Sequence, residues 1–435
     1  RVDSFGPGFI IIMLLLLVFL AVTACDAGTY LSQRLVTSDL ETKMFPLTGR
    51  GLATKRDRAP GDVLISVDDA DVVTAERALE QNPNAMAAAE AAAQSGRKLT
   101  DEMLLCFHIH CELQANSDYA DSLPSAQPSV LRLSSDDVSL LPRCYANAAN
   151  QTVQFALEQL DVLSTALRSA GSAPMSVDQF LCAFSHVRAR SVEVSAEQGD
   201  GLEPQSELVH ASSGRRRALL PALDLINHRA SARTTLERVP SPDSPGCCWR
   251  VISQDSHKAG EQVFLTYGAC DNLKLLLLYG FCLPSNPEAV VLFDVRDLID
   301  ASEAALPKAF GPVRSELLEQ LGAVEAAPAA AGDGPFQRLS LFSYDTTSGE
   351  PRETLSQALA TLQSLVVPLG GTAAEAADFP TQALRELLKA RYEEVNMLIE
   401  DAARLDEQAD DDEGGMRGAT TTLLRAERLA IENVL

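Results

Sequence analysis

The stretches LLPALDLINH (219–228), GEQVFLTYG (260–268) and DNLKLLLLYGF (271–281) decide the fold of this chain. Each contains an apolar run that ends in polar groups or in a single tyrosine. Apolar runs build a core, and the groups at their ends face whatever that core supports. We therefore expect functional side chains at the ends of these runs.

The second stretch predicts a strand. Side chains alternate in polarity over 262–267, and Gly260 fits the turn that precedes them. Gly268 ends the pattern, so that Tyr267 is expected at the end of the strand.

The third stretch predicts a short helix. Either Asp271 or Asn272 can cap a helix that runs over 273–279. Gly280 suits the position just past its end, where a left-handed backbone is common. Tyr279 therefore lies at the end of this helix.

Three polar residues end the first stretch. Asp224, Asn227 and His228 have the spacing i, i+3 and i+4, which places side chains on one face of a helical turn. The alternative is a capped turn beside a core histidine whose hydrogen bonds are satisfied.

Two upstream segments also carry candidate ligand groups. The glycines of GRGLA (49–53) permit a tight turn that can approach a ligand closely, and strands are expected at 53–55 and 63–67 around a Pro60–Gly61 turn. In the helix predicted over 176–190, Ser176 and Gln179 have the spacing of a capping box.

That helix ends in two basic side chains. Arg188 and Arg190 leave it together, and a guanidinium can hold a carboxylate with two hydrogen bonds. The alternative is a solvated basic end that suits the helix dipole.

In this order the motifs resemble those of SET-domain methyltransferases of the Rubisco large-subunit lysine methyltransferase type. That family has a Gly-Arg-Gly-Leu segment, an Arg-Ser-Arg helix end, and Pro-x-x-Asp-x-x-Asn-His before Gly-Glu-x-Val/Ile-x-x-x-Tyr-Gly, Asn and Tyr-Gly-Phe. The serine of the helix end is Ala189 here. The residues that match the last four motifs are Pro221, Asp224, Asn227, His228, Gly260, Glu261, Tyr267, Gly268, Asn272, Tyr279, Gly280 and Phe281.

The resemblance implies an α+β fold. A SET domain of short strands would occupy 29–289 and contain a large helical insert at about 72–217. An all-helical C-terminal domain that binds the substrate would follow at 290–435. Apolar residues at helical spacing over 382–405 agree with that expectation.

The resemblance also implies roles for individual residues. Tyr267 would supply the catalytic hydroxyl and contact the cofactor, S-adenosyl-L-methionine. Arg50 and Arg190 would bind the cofactor, and Asp224 would support the turn beside them. The remaining cofactor contacts would come from Asn227, His228, Tyr279 and Phe281.

The implied function is methyl transfer to the side-chain nitrogen of a lysine in a protein, which we expect to be a non-histone protein. One alternative is a protein-histidine methyltransferase of the same family, and another is a non-catalytic SET-like module that binds a protein. The resemblance implies a monomer and a protein substrate.

Composition restricts the partners and cofactors. Among 435 residues, 46% are hydrophobic, which suffices for two or three domains, and the net charge of −24 argues against nucleic acid as a partner. The nine cysteines include no C-x-x-C pair. His108, His110 and Cys111 have a spacing that does not converge on a helix, so that we expect no metal site.

The N-terminus predicts a targeting segment at 1–28. Phe9–Ala24 contains no charge and is short for a membrane span, which is typical of a signal-peptide core. A plastid address, a retained signal anchor and a gene-prediction artefact are the other interpretations. We expect plastid or secretory targeting, and membrane contact only through this segment.

Overall fold

The computed structural model describes residues 39–124, 127–194, 206–210, 216–242, 246–325, 341–345, 348–406, 416–432 and 434. These residues form two compact units. The first unit contains 39–124, 190–210 and 216–266 as far as they are described, and the second contains 127–189 and 267–434 likewise. The targeting segment predicted at 1–28 lies outside the described residues.

The first unit is built mainly from short strands. They are β1 (Leu40–Phe45), β2 (Gly49–Thr54), β3 (Val63–Asp68), β4 (Val73–Thr74), β5 (Leu99–Thr100), β6 (Ser191–Val194), β7 (Val209–His210), β8 (Arg216–Leu219), β9 (Asn227–His228), β10 (Thr234–Pro240), β11 (Cys247–Ser253) and β12 (Phe264–Leu265).

These strands form several small sheets. Two of the sheets have three strands, in the orders β10-β11-β3 and β4-β8-β6, and both are antiparallel. The strands β1 and β2 form an antiparallel pair, whereas β9 pairs in parallel with β12 and β5 with β7. The sequence predicted β2 and β3 around a Pro60–Gly61 turn. In the structure they do not pair with each other, because Gly61 donates to Ser253 O and places β3 against β11.

One apolar cluster joins most of these sheets, although β5 and β7 contribute no residue to it. Its centre contains Leu52 of β2, Ile65 of β3 and Trp249 of β11, all of which are fully buried. Leu225 and Ile226, which end the apolar run at 219–226, pack in the same cluster. The apolar run therefore supports the polar residues that follow it.

Four helices of the first unit lie between β4 and residue 122. They are α1 (Ala75–Gln81), α2 (Pro83–Gln94), α3 (Asp101–Ala115) and α4 (Asp118–Ser122). Each follows a residue whose side chain accepts a hydrogen bond from the first turn, as Thr74 does for α1 and Ser117 for α4.

The second unit is mainly helical. Its elements are α5 (Ser135–Ser139), α6 (Arg143–Ser169), α7 (Val177–Arg190, whose last residue belongs to the first unit), α8 (Asn272–Lys274), β13 (Val290–Phe293), α9 (Val295–Ala305), α10 (Pro307–Phe310), α11 (Arg314–Glu325), β14 (Phe342–Asp345), β15 (Glu350–Pro351), α12 (Glu353–Val366), α13 (Ala373–Asp406) and α14 (Met416–Glu432). Ser176 and Gln179 form the predicted capping box at the start of α7.

The α+β fold class with a helical C-terminal part is confirmed. That part is not entirely helical, because β13, β14 and β15 form an antiparallel sheet within it. Phe342 and Tyr344 of β14 pack in the same apolar cluster as residues of the helices α9 and α12. None of the helices that the structure describes has both the length and the apolar character to cross a membrane.

Candidate active site

The glycine-rich strand β2 and the short strand β9 meet through one side chain. Asn227 Nδ2 donates to the carbonyl oxygens of Thr48 (3.2 Å) and Arg50 (3.0 Å). A Cβ atom added to Gly51 would lie 2.7 Å from that same nitrogen and 2.5 Å from Gln262 Nε2. Gly51 therefore leaves the space that the Asn227 amide needs to reach the strand.

The structure corrects the predicted helical turn around Asn227. Only Leu223–Leu225 forms a 3-10 turn, and Asn227 and His228 lie in β9, paired with Phe264 and Leu265. The turn ends there because Ile226 has an extended backbone. Asp224 is thus in a different element from Asn227 and His228, although the sequence spacing suggested one shared face.

Arg190 and Asp224 form a buried ion pair. Arg190 Nη1 donates to the main-chain oxygen of Asp224 (2.9 Å) and lies 3.7 Å from its carboxylate Oδ2. The Asp224 side chain is fully buried, and this burial raises its pKa, while Arg190 and a hydrogen bond from Tyr119 act in the opposite direction. Arg190 therefore holds both the backbone and the side chain of the 3-10 turn.

His228 is buried beside the same turn. Burial lowers the pKa of its imidazole, and a hydrogen bond with the backbone of Leu265 opposes that shift only in part. The ring is therefore neutral at pH 7 and offers hydrogen bonds rather than a positive charge.

Three half-buried aromatic side chains form a cluster in the second unit. The rings of Tyr267 and Tyr279 lie 4.5 Å apart between centroids, with 37° between their planes. The rings of Tyr279 and Phe281 lie 6.2 Å apart. Such a cluster combines an apolar wall with two hydroxyl groups, which suits an uncharged amine better than an ammonium ion.

The backbone around the aromatic cluster differs from the sequence prediction. The strand predicted over 262–267 is limited to β12, because the residues before β12 bond to β2 instead. The helix predicted over 273–279 starts as α8, capped by Asp271, and continues as a π-helical turn over Leu275–Tyr279. Gly280 is left-handed, as predicted, and a Cβ atom there would lie 2.4 Å from Pro128 O.

The predicted site residues thus fall into two described groups. In the first unit, Asn227 contacts the backbone of Arg50, and Arg190 contacts Asp224. In the second unit, the three aromatic residues contact one another.

Two residues near the first group were not predicted as site residues. Tyr119 bonds to Asp224, and Gln262 bonds to Thr48 through its side chain. The sequence at 118–124 resembles a Pro-Tyr-Leu-x-x-Leu-Pro segment of SET-domain methyltransferases, but Asp118 and Ala120 replace its first proline and its first leucine.

No metal centre is formed by the residues that the structure describes. Within them, no group of three or more His, Cys, Asp or Glu side chains is arranged to hold an ion. His108 lies near Glu112 on α3, and its pKa is lowered by burial.

Comparison with known proteins gives partial sequence matches. No protein-family model matches the chain. SET domain-containing protein 4 of Mus musculus is 25% identical over 266 residues, which is 58% of this chain and 57% of that protein. The chain therefore spans somewhat more than half the length of this relative.

Two further relatives are named for different activities. The N-lysine methyltransferase setd6 of Xenopus laevis is 34% identical over 91 residues, covering 21% of this chain and 18% of that protein. The actin-histidine N-methyltransferase of Gallus gallus is 24% identical over 264 residues, covering 58% of this chain and 40% of that protein.

Solved structures match over most of the chain. The SET domain of LSMT bound to lysine and AdoHcy has a TM-score of 0.59 at 16% identity and covers 95% of this chain and 90% of its own. Rubisco LSMT bound to AdoMet has a TM-score of 0.57 with the same identity and coverage. The resemblance to SET-domain methyltransferases of the Rubisco large-subunit type is therefore confirmed, and the chain has the fold of these solved structures.

Proposed function

We propose that this SET-domain chain transfers a methyl group from S-adenosylmethionine to the side-chain nitrogen of a lysine in a non-histone protein. The observation that carries the proposal is the aromatic cluster of Tyr267, Tyr279 and Phe281, which offers two hydroxyl groups beside an apolar surface. The structural relatives bound to AdoMet, or to lysine and AdoHcy, support the choice of cofactor and substrate.

The residues of the first unit fit this cofactor. Gly51 lacks the Cβ atom that would otherwise fill the space at β2, and the amide of Asn227 fixes the backbone on either side of Arg50. Arg190 offers a guanidinium to a carboxylate, and His228 is neutral. These residues would hold the cofactor, with Asp224 supporting the turn that precedes Asn227.

The reaction needs an uncharged amine. A lysine has a pKa of about 10.4, so that at neutral pH it is an ammonium ion without a nucleophilic lone pair. The apolar faces of Tyr279 and Phe281 disfavour the ammonium form by desolvation. When bound, S-adenosylmethionine supplies the methyl group and a positive sulfonium that repels the ammonium form as well.

Tyr267 would orient the amine in the transition state. A free tyrosine hydroxyl, with a pKa of about 10, is a poor base at pH 7. We therefore assign it positioning and electrostatic stabilisation of the attacking nitrogen. The ring of Tyr279, at 4.5 Å between centroids, restricts the orientation of the Tyr267 ring.

Calorimetry with the full chain tests the proposal. The parent is expected to bind S-adenosylmethionine, Asn227→Ala is expected to bind it at least tenfold more weakly, and Tyr267→Phe is expected to bind it normally. With methyl-labelled cofactor and a cell extract, Tyr267→Phe should lose at least a hundredfold in methyl transfer. Asn150→Ala and Tyr392→Phe serve as matched controls, because Asn150 is exposed on α6 and Tyr392 bonds only to Glu432 among its described partners.

Acid hydrolysis of the labelled protein separates the alternatives. Methyl-lysine supports the proposal, whereas methyl-histidine would assign the chain the activity named for the actin-histidine relative. If the folded parent binds no S-adenosylmethionine, the methyltransferase proposal is wrong and the non-catalytic protein-binding alternative replaces it.

A further inference from the structure

The short helix α4 places a tyrosine hydroxyl on the buried ion pair of the first unit. Tyr119 is 6% exposed, and its hydroxyl donates to Asp224 Oδ2 at 3.1 Å. The two residues are 105 positions apart in sequence. A hydrogen bond to a buried carboxylate is among the stronger ones in a protein, so that this contact fixes the carboxylate in place.

The carboxylate that Tyr119 contacts also determines the position of Arg190. Asp224 holds the guanidinium through Oδ2 at 3.7 Å and through its main-chain oxygen at 2.9 Å. Because the Asp224 side chain is completely buried, water cannot replace a lost partner of its carboxylate. Loss of the Tyr119 hydroxyl would therefore leave Arg190 as the main restraint on the carboxylate.

The turn that carries Asp224 is under conformational strain. Ala222 has φ +70°, which side-chain-bearing residues rarely adopt. Such a conformation persists only where the surrounding contacts enforce it. The hydrogen bonds from Tyr119 and Arg190 to Asp224 are two of those contacts. Asn227 lies three residues after Asp224, so that the turn also sets where Asn227 begins β9.

The opposite end of α4 contacts the other predicted cofactor arginine. Arg50 Nη2 donates to the main-chain oxygen of Ser122, the last residue of the helix. The helix itself is fixed at both ends, since Ser117 accepts from Ala120 N and the Ser122 hydroxyl donates to Tyr119 O. One five-residue helix thus restrains Arg50, Asp224 and, through Asp224, Arg190.

We propose that Tyr119 is a positioning residue for cofactor binding, which acts by holding the Asp224 carboxylate and thereby Arg190 and the turn before Asn227. This inference rests on the proposed function, because it assumes that these residues contact S-adenosylmethionine. In this inference Tyr119 acts through its hydrogen bond to Asp224.

The test compares two buried tyrosines. Tyr119→Phe removes the hydroxyl and keeps the ring, and we expect it to weaken S-adenosylmethionine binding about tenfold in calorimetry with the full chain. Tyr344→Phe removes a buried hydroxyl that donates to Gly349 O at 2.5 Å in the second unit. It is expected to lower the melting temperature without changing the dissociation constant.

A pH profile separates positioning from a general loss of stability. The pKa of Asp224 is raised by burial, and Arg190, Tyr119 and Arg50 lower it. Without the Tyr119 hydroxyl the pKa rises further, so that the ionised form is lost at a higher pH as acid is added. The loss of cofactor binding with falling pH should therefore begin at a higher pH in Tyr119→Phe than in the parent or in Tyr344→Phe.

Each outcome decides the inference. A weakened dissociation constant together with the shifted pH profile supports it. If Tyr119→Phe melts at a lower temperature but binds S-adenosylmethionine like the parent at every pH, Tyr119 is only structural and the inference is wrong, while the proposed function stands. If the folded parent binds no S-adenosylmethionine, both are wrong.

Discussion

At the scale of single residues, Glu427 is a carboxyl group buried in the second unit. It lies on α14, and the charged or titratable groups around it include Arg391, Tyr145 and Cys144. Burial raises its pKa from 4.5 to about 7, although the guanidinium of Arg391 and the hydroxyl of Tyr145 act to lower it. The folded protein therefore binds this proton more tightly than the unfolded chain does.

We predict that Glu427→Gln changes the pH dependence of stability. Tighter binding of the Glu427 proton in the folded protein contributes to the free energy of unfolding. This contribution is complete below a pH of about 4.5 and is lost as the pH rises through about 7. Gln cannot ionise, so that the variant should gain in free energy of unfolding relative to the parent between pH 5 and 8. The expected gain is roughly 3 kcal/mol at about 1.4 kcal/mol per pKa unit.

Denaturant unfolding at several pH values measures this difference. Glu393→Gln is the control, since Glu393 is exposed on α13 and its removal should leave the pH dependence of the parent unchanged. A constant difference between Glu427→Gln and the parent from pH 5 to 8 would contradict the prediction.

Some residue-level features follow from sequence and others do not. The capping box of Ser176 and Gln179 and the left-handed Gly280 depend on neighbours a few positions away, and both were predicted correctly. The bond between Tyr119 and Asp224 joins positions 105 apart, and the spacing of residues contains no information about it. It depends on how the first unit packs.

At the scale of elements, Asn272 braces the backbone around the aromatic cluster. Its side chain donates to Leu283 O and accepts from Leu283 N, both at 3.1 Å, and it also accepts from Asn286 Nδ2 at 3.0 Å. These bonds close the chain segment that contains the π-helical turn and Phe281. Asn272 was recognised in the motif of the family, and the structure gives this position a structural role.

We predict that Asn272→Ala destabilises the second unit by about 1–3 kcal/mol, because two partly buried backbone groups of Leu283 lose their partners. Chemical denaturation of the parent and the variant measures the change. Asn150→Ala removes an exposed asparagine from α6 and should alter stability by less than about 0.5 kcal/mol. Equal effects of the two substitutions would refute the role assigned to Asn272.

Elements with strong local patterns were predicted best. The helix predicted over 176–190 is observed as α7 with its capping box, and the apolar spacing over 382–405 lies within α13. The 27-residue helix α6 was not predicted. Its N-cap, Pro142, has no side chain that can accept a capping hydrogen bond, and many polar residues separate the apolar residues in its sequence. The strand at 262–267 was predicted too long. The alternation of polar and apolar side chains does not show that Val263 bonds to β2, whereas β12 pairs with β9.

At the scale of the whole molecule, the net charge of −24 produces self-repulsion in the folded chain. We predict that the melting temperature rises by several degrees between 10 and about 150 mM salt, because the Debye length falls from about 30 Å to about 8 Å. Differential scanning calorimetry in NaCl and KCl measures it, and equal effects of both salts indicate screening. A melting temperature that falls with salt would instead show that ion pairs dominate.

The strand pairing of the first unit has a consequence for biosynthesis. Asp68 of β3 pairs with Cys248 of β11, about 180 residues later, and β2 bonds to the segment before β12. At about 5–20 residues per second, a ribosome needs roughly 10–40 s to supply the partner of β3. Throughout that interval Leu64 and Ile65 lack the strand that covers them in the folded protein, and such exposed apolar surface favours aggregation of the nascent chain.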